Sequence, residues 1–515
     1  MFSKNQHKLS GLLRQISVKE IHLTPIRNKA TAAAGQIDPE TDIKSYDEVP
    51  GPKGFFQVLA NTIEGFKYIG KGHIILEEKH KKYGPIFKEN LVGMNFLQIC
   101  DVKDIEHMLR NDHKYPSRIV VDAWSQWREN AKESYGILIQ NDGPEWKRMR
   151  VLLDKKMMRP HNVSTYTEDF NNVITDFIER LNTVRATEGN GVRVPNLDQE
   201  LFHWSLETIG TVLYERRLGG LDRNRPQQMT DFINAVQNIF RTTEQIFAVP
   251  FWLAKYIRPT AYKKHVHAWD TVFSIDKKLI DEKTSELQTK LEKGEEVDGF
   301  LSSLLASKSL SQSEVYANIS ELMLGAVDTT SNTMQWIIYE LARNPEVQEK
   351  LRQEIADVTQ GAIPDQDALQ KMPYLRGVIK EGLRLYPVAG VVTRTLREDL
   401  VLAGYLIPKG TLILASSLLT GRNPDIFEDP LAFKPERWLR SEKQAEKLHT
   451  FGWLPFGFGV RMCIGRRVAE LEMHLLTARL IQKFRLEPVD DKVLNIVTRG
   501  IFVPEKSVDV KFDEM

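Results

Sequence analysis

Cysteine is scarce in this sequence: Cys100 and Cys463 are the only two among 515 residues. Two thiols cannot build a disulfide framework, and their scarcity points to a reducing compartment in which each needs its own chemical explanation. Excess charge of either sign is also missing, with 70 Lys and Arg against 69 Asp and Glu and a formal net charge of +1. No global field therefore draws nucleic acid or acidic substrates, and any electrostatic docking has to be local. Long apolar runs are absent too: no stretch of about 18 consecutive apolar residues occurs, which excludes an ordinary transmembrane helix. With 42% hydrophobic residues the chain still carries material for a large core, and its length calls for several domains or one large, cofactor-organised domain.

What is present begins with a basic N-terminus. Residues 1–34 carry Lys4, Lys8, Arg14, Lys19, Arg27 and Lys29 against the single acid Glu20, with Ser and Thr interleaved among Phe2, Leu9, Leu12, Leu13 and Ile16. Such a basic, hydroxyl-bearing stretch reads as a mitochondrial transit peptide; a solvated basic tail is the plainer alternative. Residues 35–44 turn acidic at Asp38, Glu40 and Asp42, and VPGPKG then leads stiffly into one domain placed at 45–515, with no repeat or second linker.

Helical patterning dominates from about Arg118 to Leu383, while short apolar runs such as LQIC, LVLAGYLIP and TLILAS, broken by Gly and Pro, read as strands. The expected fold class is mainly α with small β-sheets. One helix is predicted to open on the capping box Ser311 and Glu314 and to run to about Arg343, where Asn344 and Pro345 stop it. At ~1.5 Å per residue it reaches roughly 50 Å, enough to cross a domain.

Cys463 lies in FGFGVRMCIGRR, followed at helical spacing by Val468, Leu471, Leu475 and Ala478. A cysteine at a helix start meets spare N–H groups and the positive end of the helix dipole, which favour thiolate, the form that ligates metal. Glycines there let backbone approach a flat cofactor. Taken alone, the pattern also fits a buried, inert cysteine in a Gly-rich turn. The ordered set Phe456, Gly459, Arg461, Cys463 and Gly465, however, resembles the haem-ligand loop of the cytochrome P-450 family. That resemblance implies the cytochrome P-450 fold as a single large haem domain. It also implies haem b (iron protoporphyrin IX) ligated through Cys463, and O2 as co-substrate of a monooxygenase.

Other motifs extend the resemblance from about Asp47 to Asp509. Glu381 and Arg384, at i,i+3, with Arg437 in the downstream PERW, are ordinarily a surface pair; the family implies a buried charge network supporting the haem core. In GAVDTTSNT, Thr329 is implied as the hydrogen-bond partner of dioxygen and Asp328 as a proton relay, the bland reading being a Thr bonded to its own helix backbone. Ala326 stands where the family more often has Gly. Trp146 and Arg150, together with Arg394 and Arg461, are implied to hold the two haem propionates.

The likeness runs to the mitochondrial branch, and stretches such as KKLIDEK and KMPYL resemble sterol 27-hydroxylase and vitamin D 24-hydroxylase types. Arg376 and Lys380, one helical turn apart and offset about 90° from the Glu381/Arg384 face, match positions that dock a [2Fe-2S] ferredoxin, as do Arg466 and Arg467. A solvated charged face is the alternative for each. Electrons would then come from NADPH through ferredoxin reductase. Trp124, Ile137, Leu138, Val391, Val392, Ile501 and Phe502 are implied to approach a hydrophobic substrate, with a sterol, steroid or secosteroid preferred over a xenobiotic or fatty acid. The aromatic run IFAVPFWLAKYI, Ile246 to Ile257, reads as a membrane-dipping entrance or as core. The expected location is peripheral, on the matrix side of the mitochondrial inner membrane. Competing expectations are a haem-thiolate isomerase or dehydratase, which needs neither O2 nor a reductase, and a non-enzymatic sterol-binding protein.

Overall fold

Residues patterned for helices fold as helices through the middle of the chain, and the strands gather toward its two ends. The computed structural model describes residues 43–515 apart from 55–62, 65–67, 92–93, 120, 141–142, 248–250, 296–298, 308 and 440–448. The predicted transit segment 1–34 and the acidic residues 35–42 lie outside the described residues.

The helices that frame the site are α1 (Asp122–Ala131), α2 (Gly143–Met157), α3 (Leu197–Leu213), α4 (Gln227–Phe247), α5 (Phe251–Ile257), α6 (Pro259–Glu292), α7 (Gln312–Arg343), α8 (Pro373–Leu385) and α9 (Arg466–Lys483). α7 is the long helix read from the sequence. Its capping box is formed, with Ser311 Oγ accepting from the Glu314 N–H and the Glu314 carboxylate accepting from the Ser311 N–H. It ends at Arg343 against the Asn344–Pro345 break, and its 32 residues span ~48 Å. α3 is buried without interruption from Glu200 to Leu213, as a helix surrounded by others must be. α7 crosses it closely enough for Ser331 Oγ to donate to the Leu201 carbonyl at 3.2 Å.

Among the described residues no sheet strand falls between Ile99 and Val391. One four-stranded sheet orders β1 (Ile86–Leu91), β2 (Met94–Ile99), β6 (Leu412–Ser416) and β3 (Val391–Thr395). β6 runs parallel to β2 and antiparallel to β3, so Val392 lies opposite Ala415 and Arg394 opposite Ile413. The run LVLAGYLIP becomes a hairpin, β4 (Leu400–Leu402) and β5 (Tyr405–Ile407), turned by Ala403 and Gly404 at φ +49° and +80°. Two consecutive positive φ values match the twist of a two-residue hairpin. β3 thus brings Val391, Val392 and Arg394 to the same end of the molecule as the turn before α9.

Candidate active site

The turn carrying Cys463 is closed by its own N–H, which donates to the Phe456 carbonyl at 2.8 Å. Gly457 and Gly459 both stand at φ +70°, a conformation that residues with a Cβ rarely take. Cys463 lies two residues ahead of Gly465, the N-cap of α9. Its thiol is exposed to an internal cavity, not to the outer surface, and the depth of that cavity governs its solvation. Burial pushes the thiol up from its ordinary value, opposed by the backbone N–H groups of Gly465 and Arg466 and by the Arg150 and Arg118 charges. The helix-start environment expected from the sequence is present, but desolvation outweighs it.

The cavity has a volume of about 400 Å³. α7 borders it with Gly325, Ala326, Thr329 and Thr333, facing Phe456, Cys463 and Gly465. A Cβ at Gly325 would meet nothing within 4 Å, so the glycine leaves open space beside the helix. Thr329 Oγ1 donates to the Gly325 carbonyl at 2.8 Å, the backbone bond of the bland reading, yet its oxygen lines the cavity and keeps lone pairs to accept with. α7 remains one continuous helix through this point.

Four guanidinium groups, Arg118, Arg150, Arg394 and Arg461, converge on the same cavity. Arg394 Nε pairs with Asp112 at 2.5 Å, and Arg150 Nε lies 2.7 Å from Asp154. Arg461 stacks 3.9 Å from the Trp146 ring and donates from Nε to the Pro116 carbonyl at 2.9 Å, while its buried Nη2 meets no acceptor. Burial, then repulsion from Arg118, Arg394 and Arg150, pushes Arg461 down to about 8; burial pushes Arg118 down to about 10. Such crowding of like charge in a buried space fits a dianionic ligand edge.

The cytochrome P450 family profile matches residues 50–512. The chain is a cytochrome P450. It is 35% identical over 493 residues to cytochrome P450 27C1 of Danio rerio, covering 94% of this chain and 90% of that protein. Mitochondrial 1,25-dihydroxyvitamin D(3) 24-hydroxylase of Rattus norvegicus is 35% identical over 499 residues, covering 96% and 92%. Mitochondrial sterol 26-hydroxylase of Mus musculus is 36% identical over 500 residues, covering 94% and 92%. The mainly helical architecture with small sheets is that of the P450 fold, and the chain is a haem- and O2-dependent oxidoreductase of the monooxygenase class.

The residues present fit haem b. The Cys463 sulfur faces the cavity, Gly465 leaves 4.0 Å between that sulfur and a would-be Cβ, and Arg461, which borders the same cavity, keeps a buried Nη2 with no acceptor. A coordinated cation also reverses the thiol's preference by holding it deprotonated. Burial pushes the carboxyl of Glu472, which borders the cavity from α9, well above the usual carboxylate range.

Asp328 and Thr329 are adjacent in α7 but face different spaces. Asp328 borders a second, polar cavity of about 180 Å³ with Arg241, Arg499, Asn332 and Gln335. Burial pushes its carboxyl up to about 7, against the pull of Arg499 and Arg241.

Glu381 and Arg384 on α8 have wholly buried side chains. Glu381 accepts from Arg384 Nε (2.9 Å) and Nη2 (2.7 Å), Arg437 Nε (2.9 Å), Trp438 Nε1 (2.9 Å) and the Lys434 N–H (3.0 Å). A neighbouring face of α8 holds Arg376, anchored on the Leu369 and Gln370 carbonyls, and Lys380, 5.5 Å from the Trp438 ring centre. Both charges act on His474 of α9, which burial first and then these cations push down to about 4 against Glu470. Arg466 and Arg467 share Glu470, at 2.9 and 3.6 Å. The four cations therefore meet on the Cys463 side of the fold, partly offset by one carboxylate.

Trp124, Ile137, Leu138, Val391 and Val392 line the main cavity. The Trp124 indole N–H is taken by Thr243 Oγ1 at 2.7 Å, leaving this wall apolar. Ile501 and Phe502 do not border it: the Phe502 ring lies where a Cβ on Gly390 would be, 2.0 Å away, so it backs the wall from behind. Sequence reasoning missed Arg118 and Glu321, both on the cavity. Glu321 had a signal, since a lone acid in NISELML sits one and two turns before Gly325 and Thr329. Arg118 had none beyond a base beside an apolar run.

Proposed function

We propose that this P450 hydroxylates a sterol or secosteroid in mitochondria, with electrons from NADPH passed through a reductase and a [2Fe-2S] ferredoxin. The observation that carries the reading is an apolar cavity with the Cys463 thiol on one wall and a guanidinium cluster beside it. Three kinds of relatives with sterol-, vitamin D- and P450-type names cover nearly the whole chain and support it.

Haem b bound through the Cys463 thiolate supplies the redox chemistry that activates O2. Arg150, Arg394 and Arg461, joined by Arg118, would hold the cofactor's carboxylates, and the Trp146 face fixes the Arg461 guanidinium in place. Trp124, Ile137, Leu138, Val391 and Val392 exclude water and take the hydrocarbon body of the substrate. Thr329 Oγ1 offers a hydrogen-bonding group on the cavity wall, and Asp328, titrating near neutrality, exchanges protons with the second cavity at its carboxyl oxygens. The Glu381, Arg384 and Arg437 network holds α8 against the segment that leads into the Cys463 turn. Arg376, Lys380, Arg466 and Arg467 form the ferredoxin-docking face.

No described helix is long and apolar enough to cross a membrane. α5 nevertheless presents Trp252, Tyr256 and Ile257 at 63%, 69% and 54% exposure, with Lys255 among them. An aromatic patch with a cation suits shallow insertion at a lipid surface, which supports peripheral attachment; the matrix side of the inner membrane is the location we propose for it.

The test is a spectral-shift screen of the haem-loaded protein against sterols, secosteroids, fatty acids and xenobiotics, followed by turnover with NADPH, ferredoxin reductase and ferredoxin. A sterol or secosteroid is expected to shift the Soret band and to yield a hydroxylated product only with the full chain of donors. Shifts confined to xenobiotics or fatty acids, or product formed from a hydroperoxide without donors, would overturn the proposal.

A further inference from the structure

Ile137 and Leu138 line the cavity from the segment Gly136–Ile139, which belongs to no helix or strand. Four consecutive buried or half-buried N–H groups in such a segment need acceptors. All four find them on one face of α7. Gly136 donates to Glu321 Oε1 at 2.9 Å, Ile137 to Asn318 Oδ1 at 3.0 Å, and Leu138 and Ile139 to Glu321 Oε2 at 2.7 and 3.1 Å. Asn318 is held in the accepting orientation because its Nδ2 donates to the Glu314 carbonyl at 2.7 Å.

Several further features fix this arrangement. A Cβ on Gly136 would lie 2.6 Å from the Glu321 carboxylate and 2.7 Å from the Ala317 carbonyl, so only glycine brings the segment this close. Arg128, buried among Trp127, Trp269 and Phe273, places Nη2 3.4 Å from Glu321 Oε1 as the counter-charge. The Leu138 carbonyl in turn accepts from Arg118 Nη2 at 2.5 Å, which ties the segment to the guanidinium cluster. Glu321 stands eight residues before Thr329, ~12 Å along the helix axis, too far for contact with the reacting centre.

We infer that Glu321, with Asn318, is a positioning pair that holds Ile137 and Leu138 against the substrate and thereby sets which ligand shapes the cavity accepts. The inference rests on the haem-thiolate reading above. A bare carboxylate suits the task because it accepts from three backbone N–H groups and from Arg128 at once with no donor of its own. Glu321→Gln places an NH2 among those N–H groups, and one side of the clamp must let go.

The experiment compares haem-loaded wild type, Glu321→Gln, Asn318→Ala and Gly136→Ala by optical titration with imidazole and with 4-phenylimidazole. Imidazole reports the iron alone; the phenyl ring must also fit beside Ile137 and Leu138. Losing one or two hydrogen bonds of the clamp is expected to change 4-phenylimidazole affinity about tenfold or more while imidazole affinity stays within about twofold. Gly136→Ala keeps the Glu321 charge but pushes the segment off it, so it should reproduce Glu321→Gln, and the double variant should add little. Equal affinity ratios in Gly136→Ala and wild type would overturn the inference even if Glu321→Gln fails to fold. Absence of any imidazole spectrum in wild type would instead overturn the haem-thiolate reading itself.

Discussion

Replacing Glu381 by Ala strips one buried carboxylate from five donors at once. Arg384 has a fully buried side chain, and its remaining acceptors are the Gly421, Pro430 and Ala432 carbonyls, which bond to the guanidinium without neutralising it. Leaving such a charge uncompensated costs about 3–5 kcal/mol. The Trp438 indole and the Lys434 amide lose their acceptor as well, adding about 1–3 kcal/mol for each that stays dry. The total, about 5 kcal/mol or more, is a large share of the ~5–15 kcal/mol that holds an ordinary domain folded. Glu381→Gln keeps the volume and one acceptor oxygen and should lose less. The assay is urea unfolding followed by tryptophan fluorescence, with haem content measured on the purified protein. An Ala variant within about 1 kcal/mol of wild type, with full haem content, would refute the reasoning, because it would mean that Arg384 keeps its charge solvated by other means.

Arg461→Leu removes one charge-assisted contact and is expected to speed haem loss about tenfold or more, read as transfer of haem to an acceptor globin. Thr329→Ala should keep the reduced-CO spectrum of a thiolate-ligated haem while more of the NADPH consumed ends as peroxide instead of product, measured by the ratio of the two. Arg376→Ala combined with Lys380→Ala should raise the ferredoxin concentration needed for half-maximal turnover without altering the haem spectrum, and more so at low salt. Burial pushes Asp276, bonded to the Tyr214 hydroxyl and near Arg128, up to about 7. The folded protein then retains a proton that the unfolded chain releases above about pH 4, so this contribution is complete at low pH and fades as pH rises toward 7. Asp276→Asn removes that slope, at most about 4 kcal/mol, and urea midpoints across the acid-to-neutral range should fall less steeply than in wild type.

Local signals carried much of the fold. The Ser311 capping box and the Asn344–Pro345 break delimited α7 because both act through neighbouring backbone groups. The hairpin in LVLAGYLIP was legible as strand but not as a turn, since Ala403 takes a positive φ that its residue type does not announce. At the site, Cys463, Gly465 and Arg461 lie within a few residues of one another, and their order was enough to bring them together. What stayed hidden depends on distance along the chain. Arg118 reaches the cavity from 345 residues before Cys463 and Glu321 serves a segment about 180 residues upstream, while Phe502 falls behind the wall because Gly390 leaves it room. That Asp328 and Thr329 open on separate spaces follows from the packing of α7 between two cavities, which helical spacing alone does not reveal.

The convergence of Arg118, Arg150, Arg394 and Arg461 also bears on the protein's abundance in a cell. A polypeptide that gathers like charges in its interior is completed, energetically, by whatever neutralises them, and the stabilisation grows with the free concentration of that molecule. When haem is short, a larger fraction of newly made chains would sit open to proteases, and small losses of stability translate into several-fold changes in steady-state level. The arginine cluster thus ties the stability of the folded chain to the free concentration of haem.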